Sequence, residues 1–180
     1  PRTPAIPGID HPKVASYVEI VEGRKAAGAK VAIVGAGGIG FDVAEFLTAD
    51  NAPDGHLSDG AHADPAIAAF RDEWGIDADF LHRGGLKPAH ENPPPRQVWL
   101  LQRKDAKVGA GLAKTTGWIR RTLLKRRGVA MFSGVEYDRI DDAGLHIRVD
   151  GVPQVLAVDT IVVCAGQEPQ RELVATLVAA

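Results

Sequence analysis

Between Lys30 and Thr48 the spacing of apolar residues changes once, and the change falls on a cluster of glycines. Before it, Val31-Ala32-Ile33-Val34 is a continuous apolar run, which suits a strand buried on both faces of a parallel sheet. After it, Ile39, Val43, Phe46 and Leu47 recur at helical spacing and predict a helix ending near Thr48. A second strand follows at Val98–Leu101, then the loop KDAKVGAGLAKTTG and a helix from about Thr116 to Arg127. Ile119, Leu123 and Leu124 share one face of that helix, and Gly128 is placed to cap its end. Val129–Phe132 reads as another strand. Val135–Ile140, Leu145–Val149 and Gln154–Val158 are short alternating segments separated by Asp141-Asp142-Ala143-Gly144 and Asp150-Gly151, which are hairpin signals. The last strand, Thr160–Cys164, runs into Ala165-Gly166-Gln167-Glu168-Pro169.

The flanks and the middle break this rhythm. Pro1, Pro4, Pro7 and Pro12 exclude a helix and predict an extended arm. From Lys13 to Lys25, Val14, Tyr17, Val18 and Val21 predict a helix, with Gly28 as its stop. Residues 49–96 form a polar insertion that holds a helix from Pro65 to about Trp74, N-capped by Asp64. The expected fold is α/β: a Rossmann-like parallel sheet with a small antiparallel three-stranded β-meander. The helical and loop insertion lies between the helix after the first strand and the second strand. Residues 1–28 read as arm and linking helix, 29–165 as the nucleotide-binding domain and 166–180 as a C-terminal crossing segment.

Composition narrows the chemistry. The chain has 180 residues, 45% of them hydrophobic, which is one domain with a real core. Its 21 basic and 23 acidic residues leave no footprint for nucleic acid. No apolar run approaches the about 20 residues that span a bilayer, and PRTPAIPGID lacks a secretory pattern, so a cytoplasmic protein is expected. The start without Met, in a Pro-rich stretch, suggests a piece of something longer. One cysteine excludes an internal disulfide framework or a Cys-only metal site.

The glycine cluster places Gly35, Gly37 and Gly40 at G-x-G-x-x-G spacing between a buried strand and an amphipathic helix. Gly35 permits the tight turn, Gly37 the close approach of a pyrophosphate, and Gly40 the packing of helix on strand. With Ala36, Gly38 and Ile39 they form the candidate dinucleotide-binding turn, at a helix end that favours anions. The choice of cofactor rests on the end of the second strand. Asp54 and Asp59 lie at the usual distance for a ribose-binding acid, but inside the insertion with no strand before them. The strand itself ends in Gln102, Arg103 and Lys104. Gln102, Arg103 and Lys104 are the candidate cofactor contacts there, and the two cations fit the 2′-phosphate of NADP(H). Lys114 and Arg120 are expected to add positive potential, and Ala165, Gly166 and Gln167 to line the nicotinamide side. His11, His56, His62, His82, His90 and His146 are scattered without metal-ligand spacing, and Cys164 reads as a buried, inert thiol. No catalytic or metal residue is assigned; in hydride transfer the cofactor carries the chemistry.

The segments KVAIVGAGGIGFDVAEFL, DEWGID with GGL after it, LLQRK, GLAKTTGWIRRTLLKRRGV, DDAGLHI and IVVCAGQEPQREL together resemble the bacterial NADPH-dependent 2,4-dienoyl-CoA reductases. These are kin to the old-yellow-enzyme-like flavin and iron–sulfur dehydrogenases. The resemblance runs from PRTPAIPGIDHPKVASY to the C-terminus and includes the irregular insertion. It implies a larger enzyme: a barrel with FMN and an iron–sulfur cluster, an FAD domain, and an NADPH domain inserted in the latter. Electrons would pass from NADPH through FAD, cluster and FMN to the dienoyl thioester of fatty-acid β-oxidation. This chain would be the NADPH domain, with the arm and the GQEP segment as the two crossings to the FAD domain, and would be inactive alone. Two alternatives stay open. One is a non-catalytic ADP-binding domain, as in related amine dehydrogenases; the other is a self-contained NADP-dependent dehydrogenase.

Overall fold

The computed structural model describes residues 2–49, 65–90 and 93–169, together with Arg171, Val174 and Val178. Five strands form one parallel sheet: β1 (Val14–Ser16), β2 (Lys30–Val34), β3 (Gln97–Leu101), β4 (Ala130–Phe132) and β8 (Thr160–Val163), in the order β1-β8-β2-β3-β4. A separate antiparallel sheet of three strands holds β5 (Glu136–Asp141), β6 (Gly144–Val149) and β7 (Val152–Leu156). The helices are α1 (Tyr17–Val21), α2 (Gly38–Thr48), α3 (Pro65–Trp74) and α4 (Gly117–Arg126). The expected α/β architecture, parallel sheet plus meander, is present.

Period-two alternation along the sheet creates two cores. Val31, Ile33, Val98, Leu100 and Val162 face α2 and α4, meeting Phe41, Val43, Leu47 and Leu124. Ala32, Val34, Leu101 and Ile161 face the other way, onto Ile140, Leu145, Ile147 and Leu156 of the meander. The continuous apolar run of β2 is thus explained: both its faces are covered. The arm joins the second core, burying Ile6, and the Ile140 N–H donates to Pro7 O at 2.8 Å. The insertion helix α3 is held by arginines of the α4 end. Arg127 binds Glu73 Oε1 through Nη2 at 2.7 Å and Nε at 2.9 Å, and Arg126 stacks 5.0 Å from the centre of the Trp74 ring.

Two expectations are corrected. The helix predicted over Lys13–Lys25 is a strand followed by a helix of five residues. Val14, Ala15 and Ser16 pair with β8, so sheet pairing overrides the helical spacing. The boundary has a local signal, a capping box: Ser16 Oγ accepts from the Glu19 N–H at 3.2 Å, and Glu19 Oε2 accepts from the Ser16 N–H at 2.8 Å. The last meander strand starts at Val152, not Gln154. Asp150 and Gly151 both have positive φ (51° and 75°), a two-residue turn that puts Val149 opposite Val152 at once. Asp54, Asp59 and the proposed cap Asp64 lie outside the described residues.

The β5–β6 turn is built around one carboxylate. Asp141 Oδ1 lies 2.8 Å from His146 Nε2 and accepts from the Ala143 N–H, while Oδ2 accepts from Arg139 Nε at 3.0 Å. Chiefly the His146 bond, helped by Arg139 and the Ala143 N–H, lowers the Asp141 carboxyl from 3.8 to about 2. A depressed carboxylate stabilises the fold above its unfolded value and stops doing so as pH falls through the folded one. Chemical denaturation between pH 4 and pH 2 should therefore show a loss of stability that Asp141→Asn removes; an unchanged acid slope in that variant would refute this role.

Candidate functional site

β2 is the strand where the sheet changes direction: the chain leaves it through α2 to β3 on one side, while β8 lies on its other side. Such a switch point opens a crevice at the carboxyl ends of the strands. The glycine turn sits there, and its members are not equivalent. Gly35 has φ 113°, and a Cβ on it would strike the carbonyl of Cys164 at the end of β8. A Cβ on Gly40 would strike the Gly35 carbonyl. Gly37 and Gly38, by contrast, have no atom within 4 Å of where a Cβ would stand. The first pair lets the backbones close; the second leaves open space at the start of α2. Gly37 is the N-cap and offers no side chain, so the first-turn N–H groups and the positive helix end face that space. An open helix end of this kind favours an anion.

The end of β3 supplies positive charge. Arg103 and Lys104 are exposed and form no ion pair with a described residue. Gln102 is placed differently: its amide nitrogen donates to Lys104 O at 2.9 Å and to Ala106 O at 3.0 Å, within its own loop. The sequence reading passed over Asp105. Its side chain lies over Gly134, about 3.7 Å from the position of a Cβ there, on the β4–β5 side of the loop. Lys114 is exposed on the loop that Gly109 seats against the Phe41 ring. Arg120 is not a free charge, because it pairs with Asp42 on α2.

At the end of β8, Ala165 is half-buried and its N–H lies close to the Gly35 turn. Gly166, with φ 105°, accepts from the Arg2 N–H at 3.0 Å, and Gln167 donates to the Tyr17 hydroxyl at 3.0 Å. Burial alone pushes the Cys164 thiol up to about 12, so it stays protonated. A separate cavity of about 220 Å³ lies by the ends of β1 and β8, with Arg2, Thr3, Ser16 and Glu19 in its wall and no residue of the glycine turn. Among the described residues no group of three or more His, Cys, Asp or Glu could hold a metal ion, and no helix is long and apolar enough to cross a membrane.

Residues 1–179 match the pyridine nucleotide-disulphide oxidoreductase family. The chain belongs to that family. It is therefore an oxidoreductase domain of a family named for its pyridine nucleotide. Solved structures share the fold at low identity. A complex of 2-naphthoyl-CoA reductase with 2-naphthoyl-CoA superposes with a TM-score of 0.66 at 18% identity, over 98% of this chain and 20% of that one. A 6-hydroxypseudooxynicotine amine oxidase from Pseudomonas geniculata N1 gives 0.62 at 17% identity, over 99% and 21%. An engineered water-forming NADPH oxidase bound to NADPH gives 0.51 at 17%, over 98% and 31%. The chain thus spans about a fifth of the first two proteins.

The two glycine classes should separate on substitution. Gly40→Ala should cost about 2 kcal/mol or more, because backbone must move to admit the methyl group. Gly37→Ala, with extended φ and open space, should cost less than about 1 kcal/mol. Urea unfolding of the two variants measures both, and equal losses would contradict the assignment.

Proposed function

We propose that this chain is the NADP(H)-binding domain of a multidomain flavin oxidoreductase, delivering hydride from NADPH to FAD. The observation that carries this is at β3: Arg103 and Lys104 are free and exposed, while Asp105 lies over Gly134. A carboxylate at that strand end would favour the ribose hydroxyls of NAD; a cation pair favours the 2′-phosphate of NADP. In this reading Gly35, Ala36, Gly37, Gly38, Ile39 and Gly40 frame the pyrophosphate. Arg103, Lys104 and Lys114 surround the 2′-phosphate, and Ala165, Gly166 and Gln167 border the nicotinamide half. Bound NADPH supplies the hydride; the residues of this chain bind and orient it, and none acts as acid, base or nucleophile.

The finer reading is that the parent enzyme reduces 2,4-dienoyl-CoA thioesters in the cytoplasm, with FAD, FMN and an iron–sulfur cluster outside this chain. The sequence resemblance over nearly the whole length supports it. The adjacent Arg2 and Gly166, bonded backbone to backbone, support two crossings that enter and leave a neighbouring FAD domain side by side.

Calorimetric titration of the chain with NADPH, NADH and ADP tests the cofactor assignment. NADPH should bind at least about tenfold more tightly than NADH, since the phosphate contacts are charge-assisted. Arg103→Ala combined with Lys104→Ala should erase that margin and leave NADH binding nearly unchanged. Equal affinity for NADPH and NADH overturns the assignment, and ADP binding as tight as NADPH favours the non-catalytic alternative. For the parent enzyme, a 2,4-dienoyl-CoA should reoxidise the NADPH-reduced flavin; failure of every such thioester to do so refutes the substrate.

A further inference from the structure

The loop that carries Arg103 and Lys104 is short and polar, and exposed loops of this kind ordinarily sample many conformations. Here it is held from beneath. The Gln102 N–H donates to Phe132 O at 2.9 Å, the Val135 N–H donates to Gln102 O at 3.0 Å, and the Gly134 N–H donates to Lys104 O at 3.2 Å. The loop is thereby laced to the β4–β5 connection, where the parallel sheet hands over to the meander. Gly134 has φ 63°, a conformation that suits glycine, and Asp105 packs over its bare Cα side. The Gln102 side chain closes the loop from within, through its bonds to Lys104 O and Ala106 O.

A primary amide has two protons, and both of those on Gln102 are spent on these carbonyls. Its remaining polar atom is an oxygen, which accepts hydrogen bonds and repels phosphate. Gln102 is therefore unsuited to bind an anion itself, although it stands directly beside the two cations. We infer that Gln102 is a positioning residue for cofactor choice: with Gly134 it preorders the 103–106 loop so that Arg103 and Lys104 meet a 2′-phosphate without first being ordered. The inference rests on the 2′-phosphate reading of these cations. Its physical content is that ordering a loop on binding weakens affinity, and that bonds already made in the free protein remove that penalty.

The decisive variant is Gln102→Met, which keeps the length and bulk of the side chain and removes both donors. Titration of wild type and variant with NADPH and NADH should show about a tenfold loss of NADPH affinity, the scale of two lost ordering bonds, with NADH affinity and thermal midpoint nearly unchanged. In the ligand-free protein, hydrogen exchange measured by NMR should be faster at the Gly134 amide in the variant. Faster exchange without ligand separates positioning from direct ligation, which would leave the free loop as it was. Several results would overturn the inference. They are an intact NADPH preference in the variant, a parallel loss of both cofactors, and a lost preference with unchanged exchange. If wild type itself shows no preference for NADPH, the reading of the cations fails first and takes this inference with it.

Discussion

Between the end of β2, the first turn of α2 and the end of β8 there is no room for a methyl group. A side chain on Gly35 would meet the Cys164 carbonyl, and one on Gly40 would meet the Gly35 carbonyl. Three backbone segments therefore approach as closely as bare chain allows. Everything at the carboxyl edge of the sheet depends on that contact. It brings α2 down onto β2, buries Phe41 and Leu47 against the strands, and aims the helix end at the open space beside Gly37 and Gly38. The helix end points into open space at the sheet edge because the helix behind it can come this near.

The two cores divide the work. The helix-side core holds the glycine turn rigid, while the meander-side core braces the loop at the end of β3 through the β4–β5 connection. Pyrophosphate and 2′-phosphate, if both are bound, would be gripped by parts of the protein supported from opposite faces of one sheet. Most of the cations of α4 and its neighbours take no part in this. Arg120 pairs with Asp42, Arg121 donates to Gly109 O, and Arg126 and Arg127 hold the insertion helix. Arg103, Lys104, Lys107 and Lys114, by contrast, form no ion pair with a described residue, so positive charge stands unpaired at the end of β3 and on the loop after it.

The family is named for disulphide chemistry, but the chain's one cysteine is buried at the end of β8 with its thiol protonated. Within this chain, the shared property is the nucleotide fold. The related solved proteins reduce or oxidise very different compounds by name, a CoA thioester and an amine among them, at identities of 18% and 17%. Fold alone does not select among such chemistries.

What was legible in the sequence was local or strictly periodic. The β2 run, the glycine spacing, α2, α4 and the three meander strands are each specified by neighbours within a few residues, and the structure has them. The first strand was missed because three residues of β1 become a strand only by pairing with β8, far along the chain, and local spacing favours a helix there. Spacing likewise could not separate the roles of the glycines, say that Arg120 was already paired, or place Asp105 over Gly134. Gln102 shows the limit most clearly. Sequence put it beside two cations and so among the ligands, whereas the fold turned its two protons inward onto the loop's own carbonyls. Amino-acid order determined which residues stand at the edge of the sheet. Only the tertiary structure, by bringing backbone within hydrogen-bonding reach, decided which of them keep their polar groups free and which spend them on the protein's own carbonyls.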